Sequence, residues 1–125
     1  MSGVRGAAAL AMVFASAAPA AAHVQFIEVS LGDCAPNRLE LLAGSDYQLH
    51  FVNSASSVRD FASPKFFAAI GVASDDRAKV AGAAVEVEGG ASVDVRITAR
   101  RKGSYAFRCT QPHGGFGASG TAVIE

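Results

Sequence analysis

Excess charge of either sign, long apolar runs and cysteine are all scarce in this 125-residue chain. Eleven Lys and Arg stand against eleven Asp and Glu, which leaves no basic stripe for nucleic acid to follow. The one basic cluster, Arg100-Arg101-Lys102, precedes a glycine and reads as a solvated turn, because three charges fall short of a polybasic patch. The longest apolar stretch, Ala7 to Ala18, is too short to cross a bilayer, which takes about 20 residues. Catalytic signatures are missing as well. There is no His-Glu-x-x-His and no nucleophile elbow, and the glycines of Gly114–Gly120 do not lead from a strand into a helix as a phosphate loop does. Cys109 and His113 lack an evident third group to orient them as nucleophile and base. The chain is therefore not read as an enzyme.

The apolar stretch has its own meaning. Arg5 is the only charge before it, and Pro19-Ala20-Ala21-Ala22 follows. A charged n-region, a short h-region and a small-residue cleavage site predict a secretory signal peptide over residues 1–22, with residues 23–125 as one exported domain in the periplasm or outside the cell. Removing Arg5 leaves ten basic against eleven acidic residues. No cysteine follows the h-region, so no lipid anchor is expected, and no membrane span remains after cleavage. His23 would then be the mature N-terminus. Its amine and imidazole could pair with a second His, such as His50, in a copper brace; a chance His at a cleavage point is the simpler reading.

After residue 22 the pattern is mostly period two. Tyr47, Leu49 and Phe51 alternate with Gln48, His50 and Val52, and Val93, Val95 and Ile97 alternate with Asp94, Arg96 and Thr98, as half-buried strands do. Further strands are expected over Val24–Ser30, Arg38–Leu42, Ala84–Glu88, Ser104–Cys109 and Ser119–Ile124. Turn signals at Gly44, Gly89-Gly90 and Gly103 separate them. Short strands at this spacing predict an all-β, two-sheet Greek-key sandwich. One helical excursion interrupts it near residues 64–71. Ser63 reads as its N-cap, Pro64 as its first residue and Gly71 as its stop; Asp75-Asp76-Arg77 reads as a polar loop.

Two regions carry chemistry. Phe107-Arg108-Cys109 ends a strand with Cys109 on the same face as Tyr105 and Phe107, and His113 follows in a Gly-rich turn before the last strand. A thiolate and an imidazole converging there are a donor pair suited to copper. This run is similar to the C-terminal metal loop of the cupredoxins, the type 1 blue copper proteins. The stretch Asn53 … Arg59-Asp60-Phe61 … Pro64 … Phe66-Phe67 resembles the family's first ligand region. The resemblance spans most of residues 24–125. It implies a cupredoxin-like β-sandwich, copper held by Cys109 and His113, and one-electron transfer or copper delivery to a partner protein by a monomer. It also implies that two ligands have been replaced. Arg59 stands where the family has a His, and a guanidinium has no lone pair to give. Ala118 stands where the family has the axial Met. Beside Cys109, the Arg59 charge would favour a thiolate.

The second cysteine, Cys34, leaves two alternatives open. It is a small buried hydrophobe, or it pairs with Cys109, as cysteines of exported proteins tend to. The first alternative fits a copper-binding or copper-handling protein with a reduced site. The second fits a metal-free accessory domain, docking through Phe66, Phe67 and Phe116 if these aromatics are not simply buried.

Overall fold

In the computed structural model, which describes residues 23–111 and 117–125, the period-two runs form strands β1 (Val24–Ser30), β2 (Arg38–Leu41), β3 (Asp46–Val52), β6 (Ala84–Val87), β7 (Ser92–Ala99), β8 (Gly103–Thr110) and β9 (Gly117–Ile124). Two short strands have no counterpart in the sequence reading: β4 (Arg59–Ala62) and β5 (Ile70–Val72). Neither segment carries an apolar–polar alternation that stands out from the loop or helix flanking it. They become strands because neighbours recruit them, β4 between β8 and β6 and β5 along β7. One sheet runs β1-β3-β7-β5 and the other β2-β9-β8-β4-β6. β1 lies parallel to β3 and β2 parallel to β9; the remaining pairs are antiparallel.

The inward faces alternate as the sequence predicts. Tyr47, Leu49 and Phe51 are buried on β3, Val95, Ile97 and Ala99 on β7, and Phe107 and Cys109 on β8. Phe61 joins the layers. Its ring centroid lies 4.9 Å from Phe51 of the first sheet and 4.8 Å from Phe107 of the second. Phe66 meets it edge-on at 6.3 Å, a geometry that the aromatic quadrupole favours. Gly120 makes this packing possible, since a Cβ there would stand 2.4 Å from Phe107 Cζ.

The helix α1 (Pro64–Ala68) starts as expected. Ser63 Oγ accepts from the Phe66 amide at 3.2 Å and donates to the Ala106 carbonyl at 2.6 Å, which caps the helix and fastens it to β8. It stops earlier than Gly71, because Ile70 turns away into β5. Asp75-Asp76-Arg77 is likewise not a simple loop. It belongs to a 3₁₀ helix, Ser74–Lys79, in which Asp76 is buried. Asp76 takes the Lys79 ammonium at 2.8 Å and the Arg96 amide at 2.8 Å. These two bonds, Lys79 first, hold its carboxyl below the ordinary Asp range.

Candidate functional site

Cys109 reaches the site region by strand register. It sits opposite Phe61 on β4 and opposite Ala118 on β9, one residue before the end of β8. Cys34 comes from the turn between β1 and β2. The amide and carbonyl of Ser30 bond those of Ala35 at 2.7 and 3.1 Å, which closes a tight loop. Cys34 occupies the left-handed region with φ of 56°, a conformation that costs an L-residue energy unless its surroundings hold it there. The constraint is a bond: Cys34 and Cys109 form a disulfide, with Cα atoms 5.5 Å apart and a sequence separation of 75 residues. Both cysteines are 1% exposed. The bridge ties the connection between the sheets to a central strand. A cross-link over so long a loop removes about 4 kcal/mol of unfolded-chain entropy.

That bond settles the two alternatives for Cys34 in favour of pairing. It also changes the chemistry of Cys109, whose sulfur, once bridged, is no longer a thiolate donor. His113 lies outside the described residues.

Arg59 opens β4 on the same face as Phe61, which is the inner face. It is half-buried, and its Nε is shut off from solvent with no hydrogen-bond partner among the described residues. An unmet buried donor of this kind costs about 1–3 kcal/mol. Its neighbour Asp60 faces the other way and accepts from Thr110 Oγ1 at 2.7 Å. Ala118 is exposed, and its methyl has no donor atom. A type 1 copper centre therefore does not fit the residues described. Cys109, the thiolate that the resemblance expects, is bridged, and the positions where it expects an imidazole and an axial thioether carry a guanidinium and a methyl. Among the described residues no three His, Cys, Asp or Glu side chains gather as a metal cluster.

The brace between His23 and His50 does not form either. Val24 pairs with Asp46 in the parallel β1–β3 ladder, and Glu28 pairs with His50. His23 therefore stands about five residues, or roughly 17 Å, from the level of His50. His50 has other partners. Its Nδ1 donates to Asp94 Oδ1 at 2.6 Å, and its ring lies 5.3 Å from that of Phe26. Asp94 also accepts from Gln48 Nε2 at 3.1 Å. Gln48 first, and His50 after it, hold that carboxyl below its ordinary range. Of the three docking aromatics, Phe66 is fully buried, Phe67 packs half-buried against the core, and Phe116 lies outside the described residues.

Sequence reasoning left the orientation of Arg59 open. The signal for it was the alternation of Arg59 with Phe61, which places both on one face once a strand is assumed.

Asn53, the first residue of the upstream motif, organises the loop before Arg59. Its Nδ2 donates to the carbonyls of Ser57 and Val87 at 2.8 and 2.9 Å, and its Oδ1 accepts from the Ala55 amide at 3.0 Å. The Asn53 side chain thus ties the loop before Arg59 to itself and to the end of β6.

Comparison with known proteins agrees with this frame. No curated protein matches the chain. Among solved structures, it superposes on auracyanin A, described as a blue copper protein from Chloroflexus aurantiacus. The TM-score is 0.57 at 16% identity, over 82% of this chain and 100% of that one. Dithionite-reduced auracyanin from Roseiflexus castenholzii gives 0.54 at 20% identity, covering 81% and 97%. Auracyanin B gives 0.53 at 21%, covering 89% and 93%. At these identities the likeness speaks for the fold. The sequence itself matches the family described as a cupredoxin-like domain over residues 5–124. With two sheets in this order, a cysteine at the end of β8 and a family match over nearly its whole length, the chain belongs to the cupredoxin-like family.

Proposed function

We propose that this protein, after export and oxidation, serves as a metal-free cupredoxin-fold accessory domain whose Cys34–Cys109 disulfide takes over the cross-linking role of a copper–thiolate bond. The observation that carries this reading is the disulfide itself, because it consumes the one sulfur that the family's copper chemistry needs. Arg59 supports it, since a cation facing inward opposes a second cation nearby. A domain of this kind acts through contacts with a partner protein rather than through turnover.

Family membership favours a second reading, copper handling by the reduced form. Reduction of the disulfide by an external dithiol, itself oxidised to a disulfide, would free Cys109 to act with His113 as a thiolate–imidazole pair, and that pair would take Cu(I) for delivery or electron transfer to a partner. Two donors suit Cu(I) better than Cu(II).

Native intact mass of the protein isolated from the periplasm separates the two. A metal-free chain starting at His23 and lighter by two protons supports the accessory domain. A copper adduct on a chain with both thiols reduced supports copper handling and overturns the first reading. A second check is a triple variant, C34S with R59H and A118M. An intense visible band on adding Cu(II) to this variant, and none with the oxidised wild type, would show that the frame can hold blue copper and that the native residues prevent it.

A further inference from the structure

A second site lies on the outer face of the β1-β3-β7-β5 sheet, away from the disulfide-bearing sheet. Val24, Asp46, Thr98 and Gly71 form one row across its four strands. Above that row is a cleft of about 400 Å³ whose lining includes Arg77, Arg96 and Arg100, all three exposed. Each arginine comes from a different element: the 3₁₀ helix, β7, and the turn after β7.

Two features mark this as more than a solvated charged surface. None of the three guanidinium groups has a carboxylate within salt-bridge reach among the described residues. The nearby acids are engaged elsewhere. Asp76 is held by Lys79 and the Arg96 amide, and Asp46, on the cleft floor, accepts from Thr98 Oγ1 at 2.6 Å. Asp75 is exposed on the same 3₁₀ helix and does not line the cleft. Three positive charges against the single carboxylate of Asp46 leave the cleft net positive, which favours an anion there.

The second feature is the berth for Arg100. A Cβ at Gly71 would stand 2.6 Å from Arg100 Nε and 2.7 Å from Arg100 Nη2. The guanidinium therefore lies flat over the bare backbone of β5. Behind it, the amides of Arg100 and Arg101 both donate to the Ala69 carbonyl at 3.2 and 2.9 Å, which fixes where the side chain begins. Arg77 is steadied in turn by its Nε, which points to the Val72 carbonyl at 3.4 Å. The terminal nitrogens of these groups remain available for forked bonds to oxyanions.

We propose that this cleft binds a small multivalent oxyanion bearing at least two negative charges, and that Asp46 accepts a hydrogen bond from a hydroxyl of the same ligand. A phosphate ester and a hydroxylated polycarboxylate share this chemistry. The Asp46 carboxylate disfavours a bare anion pressed against the floor and so selects a ligand with a hydroxyl there.

The test is isothermal titration of the oxidised protein at low salt with two hydroxyl-bearing probes, glycerol 2-phosphate and citrate. Saturable 1:1 binding of either probe is expected. Binding of glycerol 2-phosphate alone points to a phosphate ester, and binding of citrate alone to a polycarboxylate. R100Q should weaken binding about tenfold. G71A keeps every charge and has a backbone conformation that alanine adopts freely, so it should fold normally. By evicting the guanidinium from its berth it should still weaken binding at least about threefold, which a loose charge effect would not produce. R96Q serves as a third variant on the regular part of β7. Failure of both probes to bind the wild type, or wild-type binding by R100Q, R96Q and G71A, overturns the proposal.

Discussion

Phe61 and Arg59 sit two residues apart on one face of β4, and they could hardly be treated more differently by the fold. Phe61 is fully buried and meets an aromatic ring from each sheet and from α1. Arg59 faces the same interior with a buried nitrogen that nothing among the described residues satisfies. The contrast separates two demands on one strand. Phe61 answers to packing, which any sequence keeping this sandwich must meet. Arg59 stands where the resemblance to the family expects a ligand, and a demand on such a position would be chemical. Packing of the frame therefore does not depend on what occupies the position of Arg59, because different side chains support each.

The sharpest way to break this comparison is at Phe61. F61A removes the ring that joins the layers and should cost about 3–5 kcal/mol, seen as a fall in Tm of more than about 15 °C for a domain of this size. A loss below about 1 kcal/mol would mean that the layers are held mainly elsewhere. Next is the bridge. The C34S/C109S double variant should lose about 3–4 kcal/mol while keeping the native far-UV spectrum, because both residues remain small. Reduction of the wild type should produce the same shift in denaturant midpoint; a Tm unchanged by reductant would contradict a bridge between these residues.

A smaller effect is expected at Asp76, which is buried like Phe61 but polar like Arg59, and which has its partners. D76N should cost about 2 kcal/mol at neutral pH through its charged hydrogen bonds. Because the folded-state pKa of Asp76 is depressed, its stabilisation is complete above the ordinary Asp value of about 3.9 and is lost as pH falls through the lower folded value. The gap between wild type and D76N should therefore narrow below about pH 4. A gap that stays constant from pH 7 to pH 2.5 would remove Asp76 as the source. The smallest change is R59M, which replaces an unmet donor by an apolar chain of similar length and should stabilise by about 1 kcal/mol or less. Destabilisation by more than that would reveal a partner for the guanidinium and dissolve the contrast with Phe61.

Much of the frame was legible beforehand because alternation is a local signal. Seven strands, the inward face of Tyr105, Phe107 and Cys109, and the Ser63 cap all lie within runs that carry their own period or capping chemistry. β4 and β5 were not legible, since short segments are made strands by the neighbours that bond them. The 3₁₀ helix around Asp76 escaped for a related reason. Its burial depends on Lys79 and on the Arg96 amide, twenty residues away in sequence. The convergence of Arg77, Arg96 and Arg100 on one cleft was likewise invisible, because it depends on three separate elements meeting above Gly71.

By itself, then, the sequence determined the sandwich class and the family resemblance, and it put a guanidinium and a methyl where that resemblance expects ligands, because side-chain period and donor chemistry are properties of residues. Tertiary structure alone decided that Cys34 meets Cys109, that Arg59 turns inward, and that three arginines share a cleft. Those outcomes depend on distances between segments far apart in the chain, and only the register and packing of the two sheets set such distances.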